Sequence, residues 1–286
     1  MRVLGTALAL LCACGSVTPG TPTDGAIADD VAPGDDAAPI DAGRDFSSDR
    51  SQFFGASRCA TSGTVLCDDF ESGTLDTTTW QTAGQAPTID GLQAARGTKA
   101  LHISRTGNGQ SYIRETKTFP ALAGGYYARA FIYFTKMPGA PLTYAHWTAF
   151  ASATDIGEIR IGGQFQNGKN LWGVGTDSAT GTGDWTNNDK DPNNAPVTIP
   201  LGTWQCIEWH HDPTNDTTEF WWDGVLHPSL GTIPTTPHGG NASVPYTLND
   251  ITSVWFGWFE YQMTTLPFEM WIDEIAVDSA RIGCVQ

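Results

Sequence analysis

Basic residues are scarce in this chain, which has 15 Lys and Arg against 31 Asp and Glu and a formal net charge of −16. A protein that binds a phosphate backbone needs a basic surface, so nucleic acid is excluded as a partner. After the first eleven residues the chain also lacks any apolar run long enough to span a bilayer. A membrane can then be contacted only through an attached lipid.

Helical patterns and several catalytic motifs are missing as well. No amphipathic helical pattern exceeds about ten residues, and no internal repeat is visible. There is no Gly-x-Ser-x-Gly turn of the kind that carries a hydrolase nucleophile. The central strands lack the closely spaced acids of a retaining glycosidase. Glu158, Glu208 and Glu260 remain as isolated candidates for hydrolysis.

The N-terminus has the features of an export signal, residues 1–14. Arg2 supplies a positive charge, and Val3 to Leu11 is a short apolar stretch. The following Leu-Cys-Ala-Cys-Gly resembles a lipoprotein cleavage site, with a small residue before Cys14. We expect Cys14 to become the lipidated N-terminus of an envelope lipoprotein, on the outer surface or in the periplasm. The alternative is an ordinary cleaved secretory signal, and both interpretations export the chain.

Residues 15–52 are nearly devoid of large apolar side chains. Pro, Thr, Ala, Gly and Asp dominate, and eight aspartates stand against Arg44 and Arg50. Such a segment cannot bury enough surface to fold, and its charges repel one another. We therefore expect an extended, disordered acidic linker ahead of a single domain, residues 53–286.

The domain is predicted to be all-β. Its apolar runs are short, rich in Val, Ile, Phe, Tyr and Trp, and bounded by turn residues. About ten such runs favour a two-sheet β-sandwich or jelly roll. One run alternates, so that Tyr127, Arg129, Phe131 and Tyr133 share a face. An arginine among aromatics suggests that this face lines a groove, and Arg129 becomes a candidate substrate-binding residue.

Four cysteines follow the signal: Cys59, Cys67, Cys206 and Cys284. An even number in an exported chain indicates disulfides, for which three pairings exist. We favour Cys59–Cys67, which closes a short loop, and Cys206–Cys284, which joins the C-terminal end to a central strand. A zinc site is the alternative, but the spacings do not support it.

All eleven tryptophans lie within the domain. Flat aromatic faces stack on sugar rings, so an exported, tryptophan-rich sandwich favours a polysaccharide partner. Most of these indoles occupy strand positions where they would fill a core. The best candidates for exposure in a groove are Trp147, Trp185 and Trp258.

Two acidic stretches lie near the ends of the domain, Asp68-Asp69-Phe70-Glu71 and Trp271-Ile272-Asp273-Glu274. First and last strands of a sandwich often lie side by side, so Glu71 and Asp273 are expected to meet. Two adjacent carboxylates need a cation, and Ca²⁺ takes such oxygens together with main-chain carbonyls. The alternative is a pair of solvated acids at a sheet edge.

Ionisable residues interrupt apolar strands at four further positions: His146, Arg160, Gln164 and Tyr261. Arg160 and Gln164 are four residues apart and so share a face of an extended strand. Strand alternation by itself does not show that the four converge, and each is also compatible with a satisfied core position.

Seven stretches in one order resemble the fungal cellulose-induced secreted proteins and their bacterial relatives, a group that is similar to glucuronan lyases. These are Asp68-Asp-Phe-Glu-Ser-Gly, Tyr127-Ala-Arg-Ala-Phe-Ile, Ile159-Arg-Ile-Gly-Gly-Gln, Gly202-Thr-Trp-Gln-Cys-Ile-Glu-Trp-His, Ile251-Thr-Ser-Val-Trp-Phe-Gly-Trp, Trp271-Ile-Asp-Glu-Ile and Arg281-Ile-Gly-Cys. The resemblance extends from about Val65 to Cys284. It implies a concanavalin A-like jelly roll with a groove on its concave sheet, and the matching cysteines support Cys206–Cys284.

The resemblance also implies a structural Ca²⁺ held by Glu71, the main-chain carbonyl of Arg96 and Asp273. Its groove residues correspond to His146, Arg160, Gln164 and Tyr261. A monomeric polysaccharide lyase acting by β-elimination on a uronic-acid polymer is therefore expected, with a non-catalytic, lectin-like module as the alternative.

The sequence departs from the family pattern just before Tyr261. The resemblance implies an acid in the groove there, but Phe259 and Glu260 precede Tyr261. Adjacent strand residues face opposite sides of a sheet, so Glu260 is not expected to replace that acid.

Overall fold

Two antiparallel β-sheets form the domain. The computed structural model describes residues 43–155, 157–178, 183–185, 198–231 and 249–286. Within these residues a short 3₁₀ helix covers Arg50–Gln52. The strands are β1 (Leu66–Asp68), β2 (Trp80–Gly84), β3 (Thr88–Asp90), β4 (Ala100–Thr106), β5 (Gly109–Glu115), β6 (Tyr126–Lys136), β7 (Tyr144–Thr154), β8 (Gly157–Gln166), β9 (Lys169–Ser178), β10 (Gly183–Trp185), β11 (Gln205–Asp212), β12 (Thr217–Trp222), β13 (Val225–Leu226), β14 (Ile251–Glu260) and β15 (Pro267–Asp278).

The strand order is that of a β-sandwich with long crossovers. The eight-stranded sheet runs β13-β12-β11-β6-β15-β4-β3, and β1 also pairs with β15. The seven-stranded sheet runs β10-β9-β8-β7-β14-β5-β2. First and last strands pair as expected, with Cys67 opposite Ala276. The predicted all-β jelly roll is confirmed.

The core lies between the sheets and is formed by alternate residues of each strand. On β6, the inward side chains are Ala128, Ala130, Ile132 and Phe134, all fully buried in the main core cluster. The predicted alternation of this strand is confirmed. Phe131, on the opposite face, belongs to a separate apolar cluster outside the eight-stranded sheet.

Both predicted disulfides, Cys59–Cys67 and Cys206–Cys284, are present. They are typical of a protein that folds in an oxidising, extracellular compartment. Among the described residues, no helix combines the length and the apolar character needed to cross a bilayer.

Residues 44–54 form an N-terminal strap on the outer face of the eight-stranded sheet. Arg44 donates to the carbonyl oxygens of Ala280 (3.0 Å) and Arg281 (2.6 Å). The Arg281 guanidinium lies between the rings of Phe46 (4.5 Å) and Trp221 (4.6 Å). The ordered domain therefore begins before residue 53, where the composition places its boundary. Contacts of a few arginine and phenylalanine side chains hold this otherwise polar segment on the domain.

Candidate functional site

The four predicted groove residues meet on the outer face of the seven-stranded sheet. His146 on β7 lies directly opposite Gln164 on β8, and cross-strand partners of this kind share a face. Arg160 lies four residues before Gln164 on β8, so the two side chains share a face of the strand. Tyr261 follows the last residue of β14. All four side chains are partly exposed. The face is therefore accessible where they converge.

Tyr261 is held in place by both its backbone and its ring. Its N–H donates to the His146 carbonyl oxygen (3.1 Å), and the N–H of His146 donates in turn to the Gln262 side chain. The Tyr261 ring stacks on the His146 imidazole, with 4.8 Å between centroids and an interplanar angle of 23°. The Tyr261 hydroxyl lies 3.2 Å from the Thr148 hydroxyl. Two groups capable of proton transfer are thus in direct contact.

Arg160 supplies positive charge beside this pair. Its guanidinium carbon lies 5.0 Å from the centroid of the Tyr261 ring. The Glu158 carboxylate accepts from Arg160 Nε (3.1 Å) with one oxygen and from Trp255 Nε1 (3.3 Å) with the other. Glu158 therefore orients the guanidinium from the side. Gln164, opposite His146, accepts from the Gln166 amide (3.1 Å).

A second cluster on the same face was not identified from the sequence. The Tyr112 ring stacks on Trp255, with 4.4 Å between centroids. Arg114 donates to the Tyr112 hydroxyl (3.1 Å), and Phe259 stacks on Tyr261 at 4.2 Å. Tyr112 and Arg114 are two residues apart on β5, so the sequence could have shown that they share a face. It does not show that β5 pairs with β14, and this pairing is what brings Arg114 beside Trp255.

Glu260 and Glu208 lie away from this site. Glu260 faces the interior beside Trp258 and Phe268, and burial raises its pKa to about 7. Glu260 therefore does not take the place of the groove acid, as expected from strand alternation. Glu208 is fully buried in the other sheet, where one oxygen accepts from the N–H groups of Ile282 (2.8 Å) and Gly283 (2.9 Å). Both carboxylates are structural, which leaves Glu158 alone beside the site.

The prediction that Trp147 and Trp258 bind substrate is wrong. Both side chains are fully buried between the sheets and stack on each other at 5.0 Å. The physical reason is alternation, because Trp147 follows His146 directly and must point to the opposite face. The side chain of Trp185, the third candidate, lies outside the described residues.

Arg129 is also wrongly predicted as a groove residue. It is fully buried on the outer side of the eight-stranded sheet, where it donates to the Glu274 carboxylate (3.3 Å) and main-chain oxygen (3.1 Å). Arg96 donates to the same carboxylate (2.9 Å). Burial lowers the pKa of Arg129. At Arg129 and Phe131 this face of β6 is covered by the strap and by the C-terminal residues, so the arginine lines no groove.

Two of the expected calcium ligands, Glu71 and Asp273, accept hydrogen bonds from one loop, residues 95–99, and the third, Arg96, belongs to that loop. Asp273 Oδ2 accepts from the N–H groups of Ala95 (2.8 Å) and Arg96 (3.0 Å). Glu71 Oε1 accepts from those of Thr98 (2.7 Å) and Lys99 (2.8 Å). Burial raises the pKa of Asp273 to about 7. Two carboxylates and a main-chain carbonyl are the hard oxygen donors that suit Ca²⁺, so the chemistry of these residues fits the ion.

One other group of potential metal ligands lies close together among the described residues. It consists of Cys59, Cys67 and Glu274. The two sulfur atoms are joined in a disulfide, so they are not thiolate ligands.

A family model described as "Polysacc_lyase-like: Cip1-like, core domain" matches residues 69–280. The chain belongs to this Cip1-like family. The match begins directly after β1, includes β2 to β15, and covers all four groove residues. This is a carbohydrate-active jelly-roll family, in agreement with the resemblance found in the sequence motifs.

Solved structures are similar to this Cip1-like chain at low identity. The structure titled "Cellulose induced protein, Cip1" is 24% identical to this chain and has a TM-score of 0.55. The matched region spans 77% of this chain and 99% of that one. A pseudo β-1,3-glucanase and immunostimulatory antigen of Mycobacterium tuberculosis is 16% identical with a TM-score of 0.47, and 76% of this chain covers 99% of it. The first of these likenesses shows the shared fold. No curated protein matches.

Proposed function

We propose that this domain is a polysaccharide lyase that cleaves a uronic-acid polymer by β-elimination. The observation that carries the proposal is the contact of Tyr261 with both His146 (4.8 Å between ring centroids) and Arg160 (5.0 Å from guanidinium carbon to ring centroid). Proton-transfer groups and a cation are thereby placed within the span of one sugar ring. Membership in a polysaccharide lyase-like family supports the same reaction class.

The reaction requires three changes at one uronate unit. The C5 proton, alpha to the carboxylate, is removed; the bond from C4 to O4 breaks; and a double bond forms between C4 and C5. Arg160 and Gln164 bind the carboxylate and stabilise the negative charge that develops on it when the proton leaves. His146 takes the proton, and Tyr261 delivers one to the departing oxygen.

The positions of the side chains suit these roles. Glu158 fixes the guanidinium of Arg160, so the cation does not need to be reorganised when charge develops. Thr148 contacts the Tyr261 hydroxyl and limits its rotation. The acidic charge of the chain as a whole is offset locally by the arginine, which permits an anionic polymer to approach.

A structural calcium ion and an N-terminal lipid complete the proposal. Ca²⁺ would be held by Glu71, the Arg96 carbonyl and Asp273, where it would tie β15 to the loop that follows β3. This ion has no part in the chemistry. Cys14 lies outside the described residues, and lipid attachment there would place the lyase at the cell envelope.

A lectin-like module is the second candidate, and one observation favours it. Phe259 occupies the groove face before Tyr261, and the two rings stack at 4.2 Å. Together with His146 they form an aromatic platform of the kind on which sugar rings stack, without the acid that the family pattern implies. Such a platform holds a polysaccharide without cutting it.

Ultraviolet absorbance separates the two functions. The purified chain is incubated with glucuronan, alginate and a neutral glucan, and formation of the unsaturated uronate product is followed. A lyase gives new absorbance on a uronate polymer, and Tyr261→Phe and His146→Ala reduce the rate roughly 10²- to 10⁴-fold at unchanged thermal stability. Retardation in a polysaccharide affinity gel, with no absorbance on any uronate polymer, would establish the lectin and eliminate the lyase.

A further inference from the structure

Arg114 on β5 differs from the other arginines of the described residues. Each of the others donates to a carboxylate or to a main-chain carbonyl oxygen, as Arg160 does to Glu158 and Arg105 does to the carbonyl of Asn108 (2.9 Å). Within the part of the chain that the structure describes, Arg114 has one hydrogen bond, to the neutral hydroxyl of Tyr112 (3.1 Å). Its Nε is buried and has no acceptor. A guanidinium carries five donors, so the described residues take up only a small part of its hydrogen-bonding capacity.

The position of Arg114 is fixed by aromatic residues. Its guanidinium carbon lies 5.6 Å from the centroid of the Tyr112 ring, and Tyr112 stacks on the buried Trp255. An arginine held against aromatic rings keeps a planar fork that matches a carboxylate in bidentate fashion. No acid of the described residues pairs with the Arg114 guanidinium. Its orientation is already fixed for binding an anion.

Arg114 and Arg160 lie in one row across the sheet. Arg114 is opposite Trp255, Trp255 is opposite Ala151, and Ala151 is opposite Arg160. Cross-strand partners share a face, so both arginines are on the outer face of the seven-stranded sheet. Three strand intervals separate them, which corresponds to roughly 14 Å. That span exceeds a single sugar ring.

We propose that Arg114, supported by Tyr112 and Trp255, is a second carboxylate-binding subsite that takes a uronate unit of the same polymer whose reacting unit lies at Arg160. The subsite rests on the proposed function, because it assumes a polyanionic sugar chain on this face. It makes the length of the ligand, and not only its composition, a determinant of affinity. Arg114 does not contact the reacting unit.

The test compares the full chain with Arg114→Met, which retains side-chain length but removes the charge. Lys136→Met is the matched control, since it removes one positive charge from a half-exposed position on the other sheet. Binding of uronate oligomers of graded length is measured by calorimetry, and cleavage by absorbance. We expect Arg114→Met to weaken binding of long oligomers roughly tenfold and to raise KM without lowering kcat, while binding of a dimer and the Lys136→Met control stay at the wild-type value.

Each alternative outcome is decisive. Equal affinity of Arg114→Met and wild type for long oligomers overturns the subsite, as does equal weakening for short and long oligomers. Should Arg114→Met fail to fold, Arg114→Lys is used; it retains charge but loses the bidentate fork, so a loss of affinity confined to long oligomers again supports the subsite. Length-dependent binding without cleavage rejects the lyase but supports the subsite, whereas no binding to any uronate polymer rejects both.

Discussion

Tyr261 and His146 are joined twice, by a main-chain hydrogen bond of 3.1 Å and by ring stacking at 4.8 Å. The first contact sets the position of the backbone after β14, and the second sets the orientation of the ring. Tyr261, one residue beyond β14, is thereby anchored to His146 on β7. A site anchored to strands holds its groups more precisely than one on a loop, which suits proton transfer.

Glu158 is predicted to act as a positioning residue for Arg160. In Glu158→Gln the Arg160 guanidinium loses its charged partner while Trp255 keeps an acceptor, so we expect KM for the uronate polymer to rise severalfold and kcat to change less. Glu219→Gln on β12 is the control, since it removes an acid that contacts His210 (3.1 Å) in the other sheet. Identical KM values for the two variants would show that the contact of Glu158 with Arg160 is structural only.

Calcium is predicted to raise the thermal stability of the chain. Binding to the folded state alone stabilises it by about 2.7 kcal/mol when the free ion is a hundredfold above its dissociation constant, which corresponds to several degrees in Tm. Asp273→Asn should abolish this response, because it removes the charge of one ligand. The measurement is a thermal melt with excess Ca²⁺ or with chelator. Equal Tm values in the two conditions for the wild type would eliminate the calcium site.

Glu260 is predicted to make the domain less stable as the pH rises. Burial raises its folded-state pKa to about 7 from 4.5, so the unfolded chain loses this proton first, and the folded state pays a growing penalty between those values. The penalty is absent below pH 4.5 and complete above 7, with a magnitude on the order of 3 kcal/mol. Glu260→Gln should therefore raise Tm at pH 8 and leave it nearly unchanged near pH 4.5. A difference in Tm that does not vary with pH would contradict this interpretation.

Loss of the Cys206–Cys284 disulfide is predicted to cost more stability than loss of Cys59–Cys67. The first bond joins residues 78 apart and the second joins residues 8 apart, and the entropy lost by the unfolded chain grows with loop length. We expect the double variant Cys206→Ser/Cys284→Ser to lose roughly 2–5 kcal/mol. Denaturant midpoints of the two double variants provide the comparison, and a larger loss in the Cys59–Cys67 pair would refute the ordering.

Alternation along strands predicted much of the fold but not which face is open. On β6 the two faces were correctly separated, yet the face carrying Arg129 and Phe131 is covered by the strap, whose contacts depend on residues far apart in sequence. Trp147 was proposed for the groove together with His146, although adjacent strand residues point to opposite sides. Local periodicity defines pairs of faces, and tertiary packing decides which face remains exposed.

The candidate site could not be predicted from the pattern of any single strand. On β7 a register shift between Thr148 and Phe150 places both Ala149 and Phe150 in the core, and a strict two-residue period does not show it. The convergence of His146, Arg160 and Tyr261 was expected only from the family resemblance. Arg114 was missed because its significance arises from the row it forms with Trp255 across the sheet.

The N-terminal strap has a practical consequence for how the protein can be handled. The strap lies on the outer face of the eight-stranded sheet, and the candidate site lies on the outer face of the seven-stranded sheet, so the thickness of the sandwich separates them. Coupling the protein to a resin or sensor chip through the strap would leave the Tyr261 face directed toward the mobile phase. Immobilised polymer-capture measurements should therefore retain the full binding capacity of the domain, whereas coupling through residues of β8 or β14 would block it.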